Sequence, residues 1–256
     1  MIAHLSDIHV GSPYFLREKL LQAINEINKI KPDVVVITGD ITNSGLKPEY
    51  DEAKTYISLL RPPVLVVPGN HDARNAGLDR FEKIIGPIHT VREDLEEKIL
   101  FMGLNSAEPD IDDGQIGKLT RQWVDKALGE KGKGKLKVVF LHHHLIPIPR
   151  AGRERVVVVD AGDFLEILTN RNVNMVLCGH RHIPHCWKLE NIVIVHAGSV
   201  SCGILRGFDY NSYNLIKIGE KEITVTLKVV GGFERTLAKF ELKTVNGEPL
   251  VGERIP

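Results

Sequence analysis

The side chains able to do chemistry in this chain collect just beyond short apolar runs. Ile2–Leu5 leads into Ser6-Asp7-Ile8-His9, residues 33–38 into Gly39-Asp40, and Val64–Val67 into Gly69-Asn70-His71-Asp72. Residues 137–141 run into His142, His143 and His144, and residues 173–177 into Gly179-His180-Arg181-His182. Taken singly, each reads as a turn or a helix cap. Taken together, five strand-like runs each deliver Asp, Asn or His at their carboxyl ends, the edge at which open α/β sheets bind ligands. Carboxylate, imidazole and amide oxygen without thiolate suit manganese, iron or zinc in five- or six-coordinate geometry. About seven donors oversupply one ion, so two ions roughly 3.5–4 Å apart fit better, with Asp40 as the natural bridging carboxylate. The chemistry expected of such a pair is the activation of a bridging water as a nucleophile at neutral pH.

The elements that must position these residues alternate between β-branched runs and helical periodicity, the pattern of a sheet covered by helices. Leu16, Leu20, Ile24 and Ile27 mark one helix face; residues 48–60, 78–85, 117–128 and 161–170 read as further helices. Residues 88–105 read as one or two strands. Beyond Trp187 only strand-like runs remain. The whole chain is expected to be one domain, with residues 1–186 as the motif-bearing core and 187–256 as a β-rich tail completing the second sheet.

Composition sets outer limits. The chain has 256 residues, 43% hydrophobic and 26% charged, the balance of a globular protein with a sizeable core. Lys+Arg and Asp+Glu both number 33, which argues against a broad phosphate-binding face and a stable nucleic-acid partner. The three cysteines, Cys178, Cys186 and Cys202, form no C-x-x-C pair, which suits a reducing compartment. With no leader-like N-terminus and no run of membrane-spanning length, a cytoplasmic location is the expectation. Residues 129–136 (GEKGKGKL) match the first part of a phosphate-binding loop, but they put Leu136 where the magnesium-binding Ser or Thr is needed.

In this order, D-x-H, G-D, G-N-H-D, H and G-H-x-H resemble the motifs of the calcineurin-like metallophosphoesterase superfamily, over residues 7 to 182. SDIHVGS, HHHLIPIP and GHRHIPH are most similar in style to its class III cyclic-nucleotide phosphodiesterase branch. The resemblance implies a four-layer α/β/β/α sandwich of two mixed sheets flanked by helices. It places Asp7, His9, Asp40 and His182 on a first metal, and Asp40, Asn70, His142 and His180 on a second. It makes His71 the residue beside the scissile phosphate, oriented by Asp72. Strand alternation puts His142 and His144 on one side and His143 on the other without choosing between them; the resemblance selects His142. His144 stands where the family has proline and reads as loop at the cleft rim.

His143, Asn105 and Arg153 are candidate substrate contacts, with His143 equally open to a place behind a ligand or to plain hydrogen bonding. The expected substrate is a phosphodiester of a cyclic nucleotide or similar small nucleotide. A UDP-sugar lipid pyrophosphate and nucleic-acid cleavage are the alternatives within the enzyme class, and a homodimer is allowed. A reading of another class takes Cys178, His180, His182, His185 and Cys186 as a structural zinc module.

Overall fold

The computed structural model describes residues 1–94, 96, 98–151, 157–242, 244–245 and 248–249. The elements follow in chain order as β1 (Ile2–Leu5), α1 (Arg17–Ile30), β2 (Val34–Thr38), α2 (Lys47–Ser58), β3 (Val64–Val67), α3 (Gly77–Ile84), β4 (Thr90–Glu93) and β5 (Ile99–Gly103). After these come α4 (Lys118–Lys131), β6 (Leu136–Phe140), α5 (Ala161–Asn170), β7 (Met175–Cys178), β8 (His185–Leu189) and β9 (Ile192–His196). The chain then forms β10 (Ser212–Ile218), β11 (Glu222–Val229), β12 (Glu234–Glu241) and a small ribbon of β13 (Thr244–Val245) and β14 (Glu248–Pro249).

Two six-stranded mixed sheets face each other, ordered β12-β11-β10-β1-β2-β3 and β4-β5-β6-β7-β9-β8. Alternation along the strands sorts the apolar side chains into layers. Ala3 and Leu5 of β1 and Val35 and Ile37 of β2 face outward onto Leu20, Ala23, Ile24 and Ile27 of α1 and Tyr50 and Ala53 of α2. Ile2, Val34 and Val36 face inward, where they meet Phe101, Val138, Phe140, Met175 and Leu177 of the second sheet. Val139 and Val176 point away from that interface toward Val124 and Leu128 of α4 and Phe164 and Leu168 of α5. The result is the expected four-layer α/β/β/α sandwich. Fully burying one such aliphatic side chain contributes about 1.5–3 kcal/mol.

The tail differs from expectation. Only β8 and β9 complete the second sheet, whereas β10, β11 and β12 extend the first one, with β10 antiparallel to β1. Alternation in ITVTLKV assigns faces to β11 but cannot name its neighbour, because any hydrogen-bonding edge satisfies the same pattern.

Register levels the ends that carry the polar residues. Leu5 pairs with Ile37, Thr38 with Val67, and Phe140 with Leu177, all in parallel ladders. The turns after β1, β2 and β3 and those after β6 and β7 therefore open at one end of the sandwich, where the sheets converge. Among the described residues no helix is long and apolar enough to cross a membrane.

Candidate metal centre

Three of the five strands, β1, β2 and β7, leave their sheets through strained turns. Asp7 (φ 57°), His9 (57°), Asp40 (52°), His180 (76°) and His182 (57°) all hold left-handed backbone, which side chains other than glycine rarely adopt. Such strain persists where the surrounding structure over-determines it, and it gathers at functional sites. Two glycines make the crowding possible. A Cβ on Gly69 would lie 2.2 Å from Asp40 Oδ1, and one on Gly179 would lie 1.8 Å from Ser6 Oγ.

The turns bring together seven side chains predicted as metal ligands: Asp7, His9, Asp40 and Asn70 from the first sheet, His142, His180 and His182 from the second. They form two neighbouring clusters of acceptor atoms. In one, His9 Nε2 lies 3.1 Å from His182 Nε2, and His182 Nε2 lies 3.2 Å from Asp7 Oδ1. In the other, His142 Nε2 is 3.0 Å from Asn70 Oδ1 and 3.2 Å from His180 Nδ1, and His180 Nδ1 is 3.1 Å from Asn70 Oδ1. Asp40 Oδ2 stands between them, 3.6 Å from His9 Nε2 and 3.4 Å from His142 Nε2.

These residues fit a pair of cations. Asp7 Oδ1 is buried with no hydrogen-bond partner, the expensive condition for a carboxylate that a bound cation relieves. His142 donates Nδ1–H to the Thr38 carbonyl at 2.7 Å, and His182 donates Nδ1–H to the Ile204 carbonyl. Each ring thereby turns Nε2 toward its cluster, the outer-shell arrangement usual for ligating histidines.

Electrostatics agree with that geometry. Burial alone would raise the Asp40 carboxyl, but His142, His71 and His9 hold it well below the usual carboxylate range. Burial opposes a charged His142, yet Asp40 outweighs it and pushes this imidazole up to about 9. Burial likewise opposes charge on His182, and Asp7 raises it. Burial lowers His9, and burial with the imidazoles of His143, His142 and His144 takes His180 well down. Ionised Asp40 and neutral His9 and His180 are the forms that ligate a cation, and the raised His142 marks where a cation would replace a proton.

The three consecutive histidines go three ways. His143 is fully buried, its Nδ1 2.9 Å from Ser106 Oγ and its Nε2 donating to the Asp112 carbonyl at 3.1 Å. Both nitrogens are occupied, so of the places open to it the hydrogen-bonded, bracing one is taken and the substrate side is not, although its ring lies in a metal-competent group with His142 and His180. His144 is also fully buried, not on the rim. The chain has left β6 by this point, so strand alternation no longer governs where the rings point.

His71 lines a cleft of about 540 Å³ with His9, Asp40, Asn70, His180 and His182. Its Nδ1–H donates to the Asn43 carbonyl at 2.7 Å. Asp72 does not orient it, contrary to the sequence-based expectation. That carboxylate accepts from the Gly69 and Thr42 amides at 2.9 and 2.8 Å and from Thr42 Oγ1 at 2.7 Å. Burial, and then Asp40, push Asp72 up to about 6, and its role is to tie the turn after β3 to the turn after β2. Asn105 is likewise spent locally, with Oδ1 accepting from the Ala107 amide and Nδ2 donating to the Ala107 carbonyl. Arg153 lies outside the described residues. Cys178 and Cys186 join none of the metal-competent groups among the described residues, so the zinc-module reading loses its thiolates; Cys202 does lie beside His9 and His182.

Asn43, Asp112, Asp113, Ile204 and Arg206 also line the cleft and were not foreseen. Asp112 Oδ1 accepts from Asn70 Nδ2 at 3.0 Å and from Arg74 at 2.8 Å, which leaves Asn70 Oδ1 facing the second cluster. The sequence DIDDG around it reads as a solvated acidic turn, and no local pattern marks it otherwise.

Residues 1–184 match the family described as calcineurin-like phosphoesterase. Among curated proteins, the glycerophosphodiester phosphodiesterase GpdQ of Enterobacter lignolyticus is 27% identical over 200 residues, covering 71% of this chain and 70% of that protein. The 3',5'-cyclic-nucleotide phosphodiesterase alr5338 of Nostoc is 24% identical over 191 residues, 71% of each chain. In fold, a dimetal phosphatase from Danio rerio aligns with a TM-score of 0.73 at 13% identity, over 92% of this chain and 98% of that one. The purple acid phosphatase PPD1 of yellow lupin (Lupinus luteus) aligns with a TM-score of 0.72 at 13% identity; 94% of this chain spans about half, 53%, of the plant protein.

Proposed function

This chain belongs to the calcineurin-like phosphoesterase family, and on that premise we propose that it is a dinuclear-metal phosphodiesterase acting on a small phosphodiester, a cyclic nucleotide or similar small nucleotide. The observation that carries the reading is Asp40 Oδ2, placed between two clusters of ligand atoms at 3.6 and 3.4 Å from their nearest imidazoles. Asp7, His9, Asp40 and His182 hold one ion, and Asp40, Asn70, His142 and His180 hold the other. Manganese, iron and zinc all suit the donor set. Two bound ions supply a nucleophile at neutral pH by acidifying water and offset the charge on the phosphoryl oxygens.

The chain's own residues do the rest. Asn43 fixes the His71 ring through Nδ1, which leaves Nε2 as the ring atom available to the cleft. In its imidazolium form His71 gives the Nε2 proton to the departing alkoxide and keeps Nδ1–H on Asn43. Arg74, 2.9 Å from His71 Nδ1 and paired with Asp112, closes the back of that ring. The names of GpdQ and of the cyclic-nucleotide phosphodiesterases among its relatives support phosphodiester substrates. The balanced charge supports a small substrate over nucleic acid.

Metal analysis of the purified protein, followed by hydrolysis of a panel, tests the proposal. The panel holds cyclic mononucleotides, glycerophosphodiesters, UDP-linked lipids and single-stranded DNA. Two metals per chain and turnover of a small diester are expected. Two metals without hydrolysis of any member would overturn the activity, and preference for the lipid or DNA would overturn the substrate class.

A further inference from the structure

The third histidine of the triplet has no place among the ligands, yet it is fully buried. Its ring lies 4.3 Å from that of His196 and 6.1 Å from that of His180. Its Nε2 is 2.7 Å from the Gly179 carbonyl oxygen. That contact makes Nε2–H the donor, and Nδ1 meets no partner. The accepting peptide is the one that joins Gly179 to His180.

The turn around that peptide is demanding. Gly179 approaches Ser6 too closely for any side chain, and His180 follows in left-handed backbone at φ 76°. The Gly179 amide donates to the His142 carbonyl at 2.9 Å, and the His180 amide donates to Asp7 Oδ2 at 3.1 Å. With both amides turned toward the protein, the Gly179 carbonyl faces its interior. The Arg181 amide reaches it at 3.0 Å in a tight three-residue turn, so the shorter, side-chain bond comes from His144. A buried carbonyl has room for two donors and loses free energy when one is removed. Proline, the residue of the similar motifs at this position, has no side-chain donor at all.

We propose that His144 is a positioning residue: its Nε2–H holds the Gly179–His180 peptide so that the His180 ring stays aimed at the second cluster with His142 and Asn70. It touches neither substrate nor reacting atoms. The inference rests on the dinuclear reading and adds an asymmetry within it. His182 is oriented by the Ile204 carbonyl, outside this peptide, and Asp7 meets it only through the His180 N–H at 3.1 Å, so loss of His144 weakens the second ion more than the first.

Calorimetric titration of chelator-stripped full-length protein with Mn²⁺ separates these outcomes. Wild type takes up two equivalents. His144→Leu, which keeps the apolar bulk without a donor, is expected to weaken the second equivalent about 10- to 100-fold, the range for lost outer-shell partners. The first equivalent should weaken clearly less, since on its side only the His180 N–H bond to Asp7 is disturbed and the Ile204 bond to His182 is kept. His144→Gln, whose amide NH₂ can reach the same carbonyl, should recover most of the second affinity. Equal weakening of both equivalents, unchanged binding in His144→Leu, or no recovery in His144→Gln would overturn the inference. Wild type that takes up one equivalent would instead overturn the dinuclear reading itself.

Discussion

The two sheets contribute different donors to the same cleft. The first supplies oxygen: Asp7, Asp40 and Asn70, with His9 as its one imidazole. The second supplies nitrogen alone, through His142, His180 and His182. Each set alone offers only part of the donors for two ions: the first the carboxylates and amide oxygen, the second the imidazoles that ligate when neutral. Packing the sheets face to face sets each beside its complement, so Asp40 raises His142 while His142 holds Asp40 ionised. The candidate metal centre is therefore a property of the sandwich, and its polar groups depend on each other before any ion arrives.

Asp40 is where the contrast between the sheets is sharpest, because it faces both clusters. Asp40→Asn removes the shared charge and is expected to reduce kcat on a small diester by about 10³-fold or more, since metal stabilisation of the transition state amounts to several kcal/mol. Metal content should fall below one per chain. Retention of both ions with near-normal turnover would show that the first sheet is not the anchor. His71→Ala comes next: a loss of roughly 10²–10⁴-fold in kcat with both ions retained, greatest for diesters with poor leaving groups. Metal content measured beside turnover decides it.

Within the second sheet, neighbouring histidines should separate. His142→Ala is expected to lower metal content from two ions to one, because its Nε2 faces Asn70 and His180. His143→Ala, whose nitrogens are bound to Ser106 and Asp112, should keep both ions and lose stability instead. Reversal of those results in metal analysis would place the ligand one residue later.

The raised His142 makes this coupling visible in pH. Its folded-state value of about 9 exceeds the ordinary 6.5. Its ion pair with Asp40 therefore stabilises chelated protein fully below pH 6.5, and that contribution is lost as pH rises toward 9. In the loaded protein a cation takes the proton's place. The gap in Tm between loaded and chelated protein should widen across that window by several degrees, on the scale of about 2–4 °C per kcal/mol for a chain of this size. A chelated His142→Gln protein should show no such trend. A gap that is flat in wild type would disconnect the sheets electrostatically.

Much of this was readable before any fold. Asp7, His9, Asp40, His180 and His182 follow apolar runs at short spacing because a strand that ends in a left-handed turn is a local event. Asp112 and Asn43 were not readable, since each acts through a tertiary partner, Asp112 on Asn70 and the Asn43 carbonyl on His71. A backbone carbonyl leaves no trace in residue type. The expected Asp72–His71 pair failed for a related reason. The resemblance implied contact within GNHD, but the turn aims the carboxylate at the Thr42 and Gly69 amides. The sheet assignment of β10 to β12 was hidden as well, because an alternating strand specifies a face and not a neighbour.

One strand end sharpens the comparison by doing nothing. β5 lies beside β6 in the second sheet and ends in Asn105, a ligand-type residue in the same relative place as His142. Its amide is closed on Ala107 from both sides, and its backbone N–H donates to His89 Nδ1 at 3.2 Å. Asn105 is absent from the cleft lining among the described residues. Asn105→Ala should therefore leave kcat/KM on the preferred diester within about twofold and lower Tm by a few degrees, the scale of one lost side-chain turn. Metal content should stay at two. A drop of tenfold or more in kcat/KM at unchanged Tm would mean that the cleft extends past β6 to β5. The boundary between ligand-bearing and merely structural strand ends would then lie one strand further out.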